Sequence, residues 1–294
     1  MVSENKETGV KTLIINADDL GLSKGTNIGI VNALQRGLVS STSLMASGSE
    51  FDHAVSLLRE AGITGVGVHL TLDEEKPVSN PTDIPSITTA EGRFMDRGVL
   101  LKKLLFSNQI NMDQVSLEFR AQIRKIMDAG LTITHLDGHG HVHVYPGICR
   151  IAAALASEFG IARVRFPAER YGYMDVKSFN AKKYVNKVIV TTFSRLARKQ
   201  YAAQRSVMPD GFMGMLFGGH LNGANLDKIF TNMPQASCVE IMSHPGDADP
   251  EREQVYRHWG YHWTDELNAL LSHSKDEIQR RYGYRIISYE ELGK

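Results

Sequence analysis

The sequence predicts an α/β protein, a distorted (β/α) barrel of about seven to eight strands in a single domain over residues 1–294. Short apolar runs rich in β-branched residues alternate with longer stretches of helical periodicity, which is typical of a parallel sheet. Polar and titratable residues follow several of these runs, where α/β barrels keep their functional groups. At 294 residues the chain can bury one large core.

The elements are predicted in order from their patterns. The first strand, 11–17, is nearly all apolar, as expected of a strand covered on both faces, and it stops at Asp18-Asp19-Leu20-Gly21. A helix follows over 24–37, with Gly37 as its stop. The further strands are predicted over 40–46, 65–70, 132–136, 162–166, 208–217, 237–242 and 285–289. The further helices are predicted over 51–61, 99–106, 113–129, 146–159, 226–233 and 264–282.

Two segments interrupt the alternation. Residues 73–111 contain Pro77, Pro81 and Pro85 in a polar stretch, with one short apolar helix, and we expect a loop insertion. A connection of this length is either a functional lid or a solvated insertion with no role. Residues 170–205 are polar, basic and largely helical, which predicts a helical insertion.

Composition and motifs argue against several classes of partner. Lys plus Arg and Asp plus Glu both number 33, so no net field draws the chain to nucleic acid or to an anionic membrane. No Walker-type sequence is present, and the Gly-x-Gly pairs do not follow dinucleotide spacing. Cys149 and Cys238 fit buried free thiols in a reducing compartment. Residues 1–12 hold no signal-like apolar stretch, so we expect a cytoplasmic protein with no membrane span.

The stretch from Thr134 to Pro146, THLDGHGHVHVYP, carries four histidines and a carboxylate. Alternating positions place His135 and Asp137 on one face of the predicted strand, and Gly138 and Gly140 then let the chain turn so that later imidazoles converge. A single histidine is usually a satisfied structural residue, but four in this pattern indicate the edge of a metal site.

The carboxyl ends of other predicted strands carry further candidates. They are Asp18 and Asp19, His69, His139, Arg165 and His244. In a βα barrel these ends share one rim, so residues distant in sequence meet there. Two histidines and a carboxylate leave open positions on a divalent cation, which acidifies water and polarises a carbonyl, as amide hydrolysis requires. A second carboxylate can take the proton from that water, and a histidine can protonate the leaving amine.

Each candidate also has a structural interpretation. Asp18 and Asp19 can form a turn or a helix cap before Ser23, and both reach one site only if the strand has ended by Asp18. The structural alternative for His244 is a turn residue before Pro245. For Arg165 it is an ion pair with Glu169, and Asp137 can serve only to orient an imidazole. Five aromatic residues can either stack on a sugar ring or pack in the ordinary way: Tyr145, Tyr171, Phe212, Trp259 and Trp263.

Four ordered motifs resemble the YdjC-like carbohydrate deacetylases, a family that includes chito-oligosaccharide deacetylases and hopanoid-biosynthesis-associated members. They are NADDLGLS at 16–23, GVHL at 67–70, THLDGH at 134–139 with His141 and His143, and MSHP at 242–245. The resemblance covers about residues 11–290. It implies a distorted βα barrel related to polysaccharide deacetylases, a homodimer, and metal-dependent removal of acetyl groups from N-acetylated sugars. Residues 164–169 look more like the hopanoid-associated branch than the chito-oligosaccharide branch. The resemblance therefore leaves two substrates open, a free glycan and a lipid-linked glycan.

Carried over by position, the resemblance implies that Asp19, His69 and His139 bind the metal. It makes Asp18 the general base and His244 the general acid or a substrate contact, with Arg165 orienting the base. The family implies Mg²⁺, whereas two imidazoles and one carboxylate favour Zn²⁺, Mn²⁺ or Co²⁺ on softness grounds. The leading hypothesis is a metal-dependent deacetylase. The alternatives are a metal-dependent phosphoesterase, for which only Arg165 and Lys24 offer phosphate contacts, and a sugar-binding or metal-storing barrel without turnover.

Overall fold

The computed structural model describes residues 11–107, 109–169, 181–234 and 236–294. In these ranges strands and helices alternate around one parallel sheet. The strands are β1 Lys11–Leu20, β2 Ser41–Leu44, β3 Gly65–Leu70, β4 Thr132–Gly138, β5 Gly211–Met213, β6 Cys238–Ser243 and β7 Tyr284–Ile286. The helices are α1 Lys24–Arg36, α2 Phe51–Glu60, α3 Arg97–Phe106, α4 Met112–Asp128, α5 Ile148–Glu158, α6 Ala181–Ala203, α7 Gly223–Thr231, α8 Pro250–Val255, α9 Trp263–Leu271 and α10 Lys275–Tyr282.

The strands run parallel in the order β4-β3-β2-β1-β6-β5, and β7 pairs with the amino end of β1. Two isolated parallel bridges extend the pairing beyond β4, from Leu136 to Val164 and from Arg163 to Val207. Val207 lies just before β5, so the pairing leads back towards β6. The predicted distorted α/β barrel is therefore confirmed, with seven strands in the described residues.

Strand β1 is the centre of this sheet because it pairs with β2, β6 and β7. Its residues are buried from Leu13 onwards, as its apolar sequence predicts. The helices cover the sheet with apolar faces. In α4, Val115, Phe119, Ile123 and Ile126 are fully buried at helical spacing. The carboxyl ends of the strands thereby stand on a rigid scaffold.

The segment 73–111 is tied to the barrel by side chains of α4. Glu118 accepts the backbone N–H groups of Val78 and Ser79 at 2.9 and 2.8 Å, and Gln114 accepts that of Ser86 at 2.8 Å. Glu118 is fully buried, so its carboxylate satisfies backbone donors of the segment in place of water. The segment also contains a short 3₁₀ helix, Pro81–Asp83, and α3. Whether it is an insertion in a single 1–294 domain stays a prediction.

Several predicted boundaries were wrong. The 162–166 strand is reduced to isolated bridges at Arg163 and Val164, and the 208–217 strand to three residues. The helix predicted over 264–282 is two helices, because the Ser274 side chain accepts the N–H of Glu277 and caps a new helix. The predicted helical insertion, 170–205, is described only from residue 181, where α6 begins; its first residues lie outside the described ranges.

Cys149 and Cys238 are free and buried, as predicted. Across the described ranges, no helix combines the length and the apolar character that a membrane crossing requires.

Candidate metal centre and its surroundings

Three side chains from different strands of the parallel sheet meet at its carboxyl edge. Asp19 lies near the end of β1, His69 near the end of β3, and His139 directly after β4. Asp19 Oδ1 is 2.9 Å from His139 Nδ1 and 3.3 Å from His69 Nε2. One ligand atom from each residue lies within 4.8 Å of the other two. All three side chains are buried, so they form one enclosed cluster.

This cluster fits a divalent cation. Asp19 Oδ2 and His139 Nε2 are buried and have no hydrogen-bond partner in the described part of the chain. An unpaired buried polar atom is costly, and a cation would satisfy it. Burial opposes ionisation of Asp19, but the charge of His139 and hydrogen bonds from His139 and His69 hold its pKa well below the usual range. The cluster thus offers an anionic carboxylate and two imidazoles, a common donor set for borderline metals.

Asp18 and Asp19 both face the site because the backbone is irregular between them. Asp19 has φ of 66°, and the pairing of β1 with β2 shifts register between Ala17 and Leu20. A left-handed conformation costs a non-glycine residue about 1–2 kcal/mol, and such strain concentrates at functional sites. The prediction that the strand must end by Asp18 was wrong, because β1 continues to Leu20 and the left-handed residue within it redirects the side chains.

Asp18 is held by Arg165. Arg165 Nη1 and Nη2 donate to the two carboxylate oxygens of Asp18, each at 2.6 Å, and Asn16 Nδ2 donates to Asp18 Oδ1 at 2.8 Å. A bidentate guanidinium contact fixes a carboxylate in both distance and plane. Asp18 is therefore presented beside the cluster in one orientation.

Arg165 also serves two other buried acids. Its Nε donates to Glu240 Oε1 at 2.8 Å, and its Nη2 lies 3.0 Å from Asp137 Oδ2. Burial opposes its charge, but Asp137, Asp18 and Glu240 raise its pKa well above the usual value. Burial raises the pKa of Glu240 to about 7 although Arg165 opposes the shift. The alternative ion pair of Arg165 with Glu169 was wrong, since these three other carboxylates occupy the guanidinium.

His69 is oriented by Asp137. His69 Nδ1 is 2.8 Å from Asp137 Oδ1, and the Ser43 hydroxyl donates to Asp137 Oδ2 at 2.6 Å. Burial lowers the pKa of His69, but Asp137 and Asp19 outweigh it and raise the pKa to about 10. A carboxylate on the far ring nitrogen leaves Nε2 directed at Asp19, as a metal-binding histidine requires.

The other histidines of the 134–146 stretch do not reach the metal centre. His135 stacks on Tyr289 with ring centroids 3.7 Å apart, and burial lowers its pKa to about 3. His143 Nε2 lies 3.2 Å from the Arg165 carbonyl, and burial lowers its pKa to about 4. His141 packs edge-on against Phe212. The expected convergence of the later imidazoles was wrong, because positive φ angles at Gly140 and His141 turn the chain away after His139.

His244 follows β6 at the same edge. It is buried, its ring lies 4.7 Å from the ring of Tyr261, and its Nδ1 has no hydrogen-bond partner among the described residues. The Glu266 carboxylate accepts the backbone N–H of His244 at 2.6 Å, which fixes the start of the turn. β6 pairs with β1, so His244 follows the strand next to the one that carries Asp18 and Asp19.

The fold and this geometry agree with comparisons to known proteins. The model of a family described as YdjC-like protein matches residues 12–280. The chain belongs to the YdjC-like family. The resemblance found in its motifs is confirmed.

Relatives of this YdjC-like chain match it over nearly its whole length. A carbohydrate deacetylase from Brevibacillus brevis is 34% identical over 281 residues, which cover 96% of this chain and 99% of the relative. A chitooligosaccharide deacetylase from Salmonella paratyphi C is 40% identical over 287 residues, with 96% and 99% covered. A solved structure from Enterococcus faecalis V583 has a TM-score of 0.73 at 24% identity, covering 96% of this chain and 98% of that one, and supports the fold alone.

Several residues around this YdjC-like site were missed from the sequence. Glu240 could have been found from the sequence, because a lone acid in the apolar strand SCVEIM indicates a buried carboxylate that needs a partner. Asn16 and Ser43 gave none, because short polar residues are common at strand ends. Arg97 and Asp73, which pair at 2.5 Å, lie near His139, whose pKa they shift in opposite directions.

The aromatic candidates take different positions. Tyr145 and Phe212 are buried, and Tyr145 donates its hydroxyl to the Gly140 carbonyl at 2.9 Å, which fits ordinary packing. Trp259 is partly exposed beside His139, whereas Trp263 is buried. Tyr171 lies outside the described residues.

Proposed function

We propose that this YdjC-like chain is a metal-dependent hydrolase that removes acetyl groups from N-acetylated sugars or oligosaccharides. The observation that carries the proposal is the grouping of Asp19, His69 and His139 with an Arg165-held carboxylate, Asp18, beside them. Relatives that are 34% and 40% identical over nearly the whole chain bear the names carbohydrate deacetylase and chitooligosaccharide deacetylase. Both names describe hydrolysis of an acetyl group on a carbohydrate.

In this proposal Asp19, His69 and His139 hold the divalent cation, which when bound polarises the acetyl carbonyl and acidifies water. Asp18 accepts a proton from the attacking water as its oxygen bonds to the carbonyl carbon. His244 donates a proton to the amide nitrogen as the carbon–nitrogen bond breaks. Amide and water thereby become acetic acid and amine, with Asp18 one proton richer and His244 one proton poorer. Asp18 then releases its proton to solvent, His244 takes one up, and the acetic acid ionises to acetate.

Arg165 keeps Asp18 in place for that proton transfer. With both oxygens of Asp18 held by Arg165 at 2.6 Å, the carboxylate keeps one orientation. Asp18 also lies within reach of a cation together with His69 and Asp137, but the proposal gives the ligand role to Asp19, whose Oδ2 makes no hydrogen bond in the described part of the chain. The two neighbouring acids therefore take different roles, one as ligand and the other as base. Carboxylate pairs with different surroundings commonly divide roles in this way.

Several finer assignments belong to the same proposal. The cation is Mg²⁺ by family resemblance, with Zn²⁺, Mn²⁺ or Co²⁺ favoured by the two imidazoles. The substrate is a free or lipid-linked glycan, and the assembly is a homodimer. The buried thiols of Cys149 and Cys238 support a reducing compartment, the cytoplasm. The phosphoesterase alternative loses one of its two cationic contacts, since Arg165 is occupied by carboxylates.

The variant Asp18→Asn tests the proposal. It keeps the shape of the side chain but removes its basicity, so acetate release from N,N′-diacetylchitobiose should fall about 10²–10⁴-fold. Metal content, measured by mass spectrometry, should stay at the wild-type value because Asp18 is not a ligand. Unchanged acetate release would contradict the role of Asp18. Wild-type protein that holds metal and releases acetate from no acetylated sugar would leave the non-catalytic barrel as the better account.

A further inference from the structure

The segment from Tyr256 to Trp263 builds an aromatic wall beside the metal centre. Its rings contact one another in series, with centroid distances of 4.6 Å from Tyr256 to Trp259, 5.5 Å from Trp259 to Tyr261 and 5.6 Å from Tyr261 to Trp263. Tyr256 and Trp263 are buried, whereas Trp259 and Tyr261 are partly exposed. The buried rings thus support two rings that keep part of their surface open.

The wall contacts His139, a proposed metal ligand, and His244, the proposed general acid. The ring of Trp259 lies 5.1 Å from that of His139, with 35° between their planes. The ring of Tyr261 lies 4.7 Å from that of His244, with 50° between the planes. A sugar whose acetyl group reached His139 and His244 would therefore have Trp259 and Tyr261 among its neighbours.

The segment 73–111 holds Trp259 in place through hydrogen bonds. Its Nε1 donates to Glu74 Oε2 at 2.9 Å, and the Tyr256 hydroxyl donates to Glu75 Oε1 at 2.6 Å. Arg93 Nη2 donates to the Glu74 carbonyl at 2.6 Å, which holds the turn. Because Glu74 takes the indole N–H, the polar edge of Trp259 is satisfied within the protein. What the indole offers to a ligand is its apolar face.

We propose that Trp259 is the platform on which a pyranose ring of the substrate packs, and that Glu74 is a positioning residue that holds the indole in place. The inference rests on the proposed deacetylation of a sugar. The C–H face of a pyranose is apolar while its edge carries hydroxyl groups, so a flat ring with a satisfied polar edge is complementary to that face. Tyr261 adds a second ring with a hydroxyl that can meet the sugar edge.

Binding is measured on metal-stripped protein, in which turnover is not required. The probe is N,N′-diacetylchitobiose, titrated by calorimetry into wild type, Trp259→Ala, Trp259→Phe and Glu74→Ala. We expect Trp259→Ala to weaken binding about tenfold, Trp259→Phe to recover most of the loss, and Glu74→Ala to fall between them. Phe106→Ala is the matched control, since Phe106 is an aromatic residue of α3 that is 83% exposed and makes no ring contact with the site among the described residues; this variant should bind as wild type does.

Fluorescence gives a measurement that needs no variant. The chain has two tryptophans, and only Trp259 is open to solvent, so the probe should protect part of the emission from acrylamide quenching. With metal restored, Trp259→Ala should raise KM more than it lowers kcat, because ground-state contacts are lost. Binding of the sugar without acetate release under any metal would refute the proposed function but support the platform. Acetate release with equal binding by Trp259→Ala and wild type, or unprotected fluorescence, would overturn the platform.

Discussion

Replacing Arg165 with methionine removes the single guanidinium that serves three buried carboxylates. Its nitrogen atoms lie 2.6 Å from both oxygens of Asp18, 2.8 Å from Glu240 and 3.0 Å from Asp137. Breaking a buried ion pair by removing one partner costs about 3–5 kcal/mol, because the remaining charge stays buried. Against a total stability of about 5–15 kcal/mol, Arg165→Met is expected to leave a folded but weakened protein.

The stability lost in Arg165→Met should depend on pH, in a direction set by the buried carboxyl groups that Arg165 contacts. The pKa of Glu240 is already raised to about 7 by burial, with Arg165 opposing the shift. Without Arg165, the charged form of this acid is less favoured, so its pKa rises further. A carboxyl with a raised pKa destabilises the fold at high pH and less so as falling pH protonates it. The deficit of Arg165→Met relative to wild type should therefore be largest at about pH 8 and smaller at about pH 6.

Urea denaturation at both pH values measures the free energy of unfolding. The variants Arg165→Met and Glu240→Gln and the double variant, together with wild type, form a double-mutant cycle. The coupling between Arg165 and Glu240 should be about 1–3 kcal/mol. Arg163→Met is the matched control, because the Arg163 side chain makes one hydrogen bond within the described ranges, 2.9 Å from Nε to the Leu292 carbonyl. It should cost about 0.5–1.5 kcal/mol. Equal losses for Arg163→Met and Arg165→Met, or a coupling below about 0.5 kcal/mol, would refute the ion-pair account.

Two further predictions follow from the same region. Loading the metal should release protons, because Asp137 and Asp19 raise the pKa of His69 to about 10 and only a neutral imidazole binds a cation. Affinity should then rise with pH, and calorimetry in buffers of different ionisation enthalpy counts the protons; a binding heat independent of buffer would contradict this. Gly67→Ala should destabilise the protein by about 1–3 kcal/mol, because the new methyl would lie 2.3 Å from His135 Cε1. A thermal melt compares it with Gly223→Ala in α7, where no atom lies within 4 Å of the added Cβ and φ is not positive; equal melting temperatures would show that the packing against His135 is not tight.

The sequence was informative where local pattern decides structure. Alternation of apolar runs and helical stretches predicted the parallel sheet. The shared carboxyl edge of that sheet then predicted that the strand-end candidates, Asp19, His69 and His139 among them, would lie close together, and the family resemblance selected these three as ligands. The strand over 65–70 was predicted to the residue. These outcomes depend on periodicity and on the geometry of parallel strands, both of which a single sequence contains.

The rest depended on long-range contacts and on backbone irregularity. Nothing local indicates that Asp19 adopts a left-handed conformation within β1. The pairing of Arg165 with Glu240 joins residues 75 positions apart, while the near neighbour Glu169 was the more obvious partner by sequence. The turn at Gly140 and His141 separates histidines that regular alternation would keep on one face. Each of these features is set by packing of the whole barrel.

The central claim is that the Asp19, His69 and His139 cluster holds a cation that supports removal of acetyl groups from a sugar. The most direct measurement is acetate release from N-acetylglucosamine, N,N′-diacetylchitobiose and longer chito-oligosaccharides. The protein is stripped of metal and reloaded separately with Mg²⁺, Zn²⁺, Mn²⁺ or Co²⁺. We predict release with at least one of these sugars, abolished by stripping and restored by one or more cations. Acetate release that persists at full rate after complete removal of metal would contradict the claim.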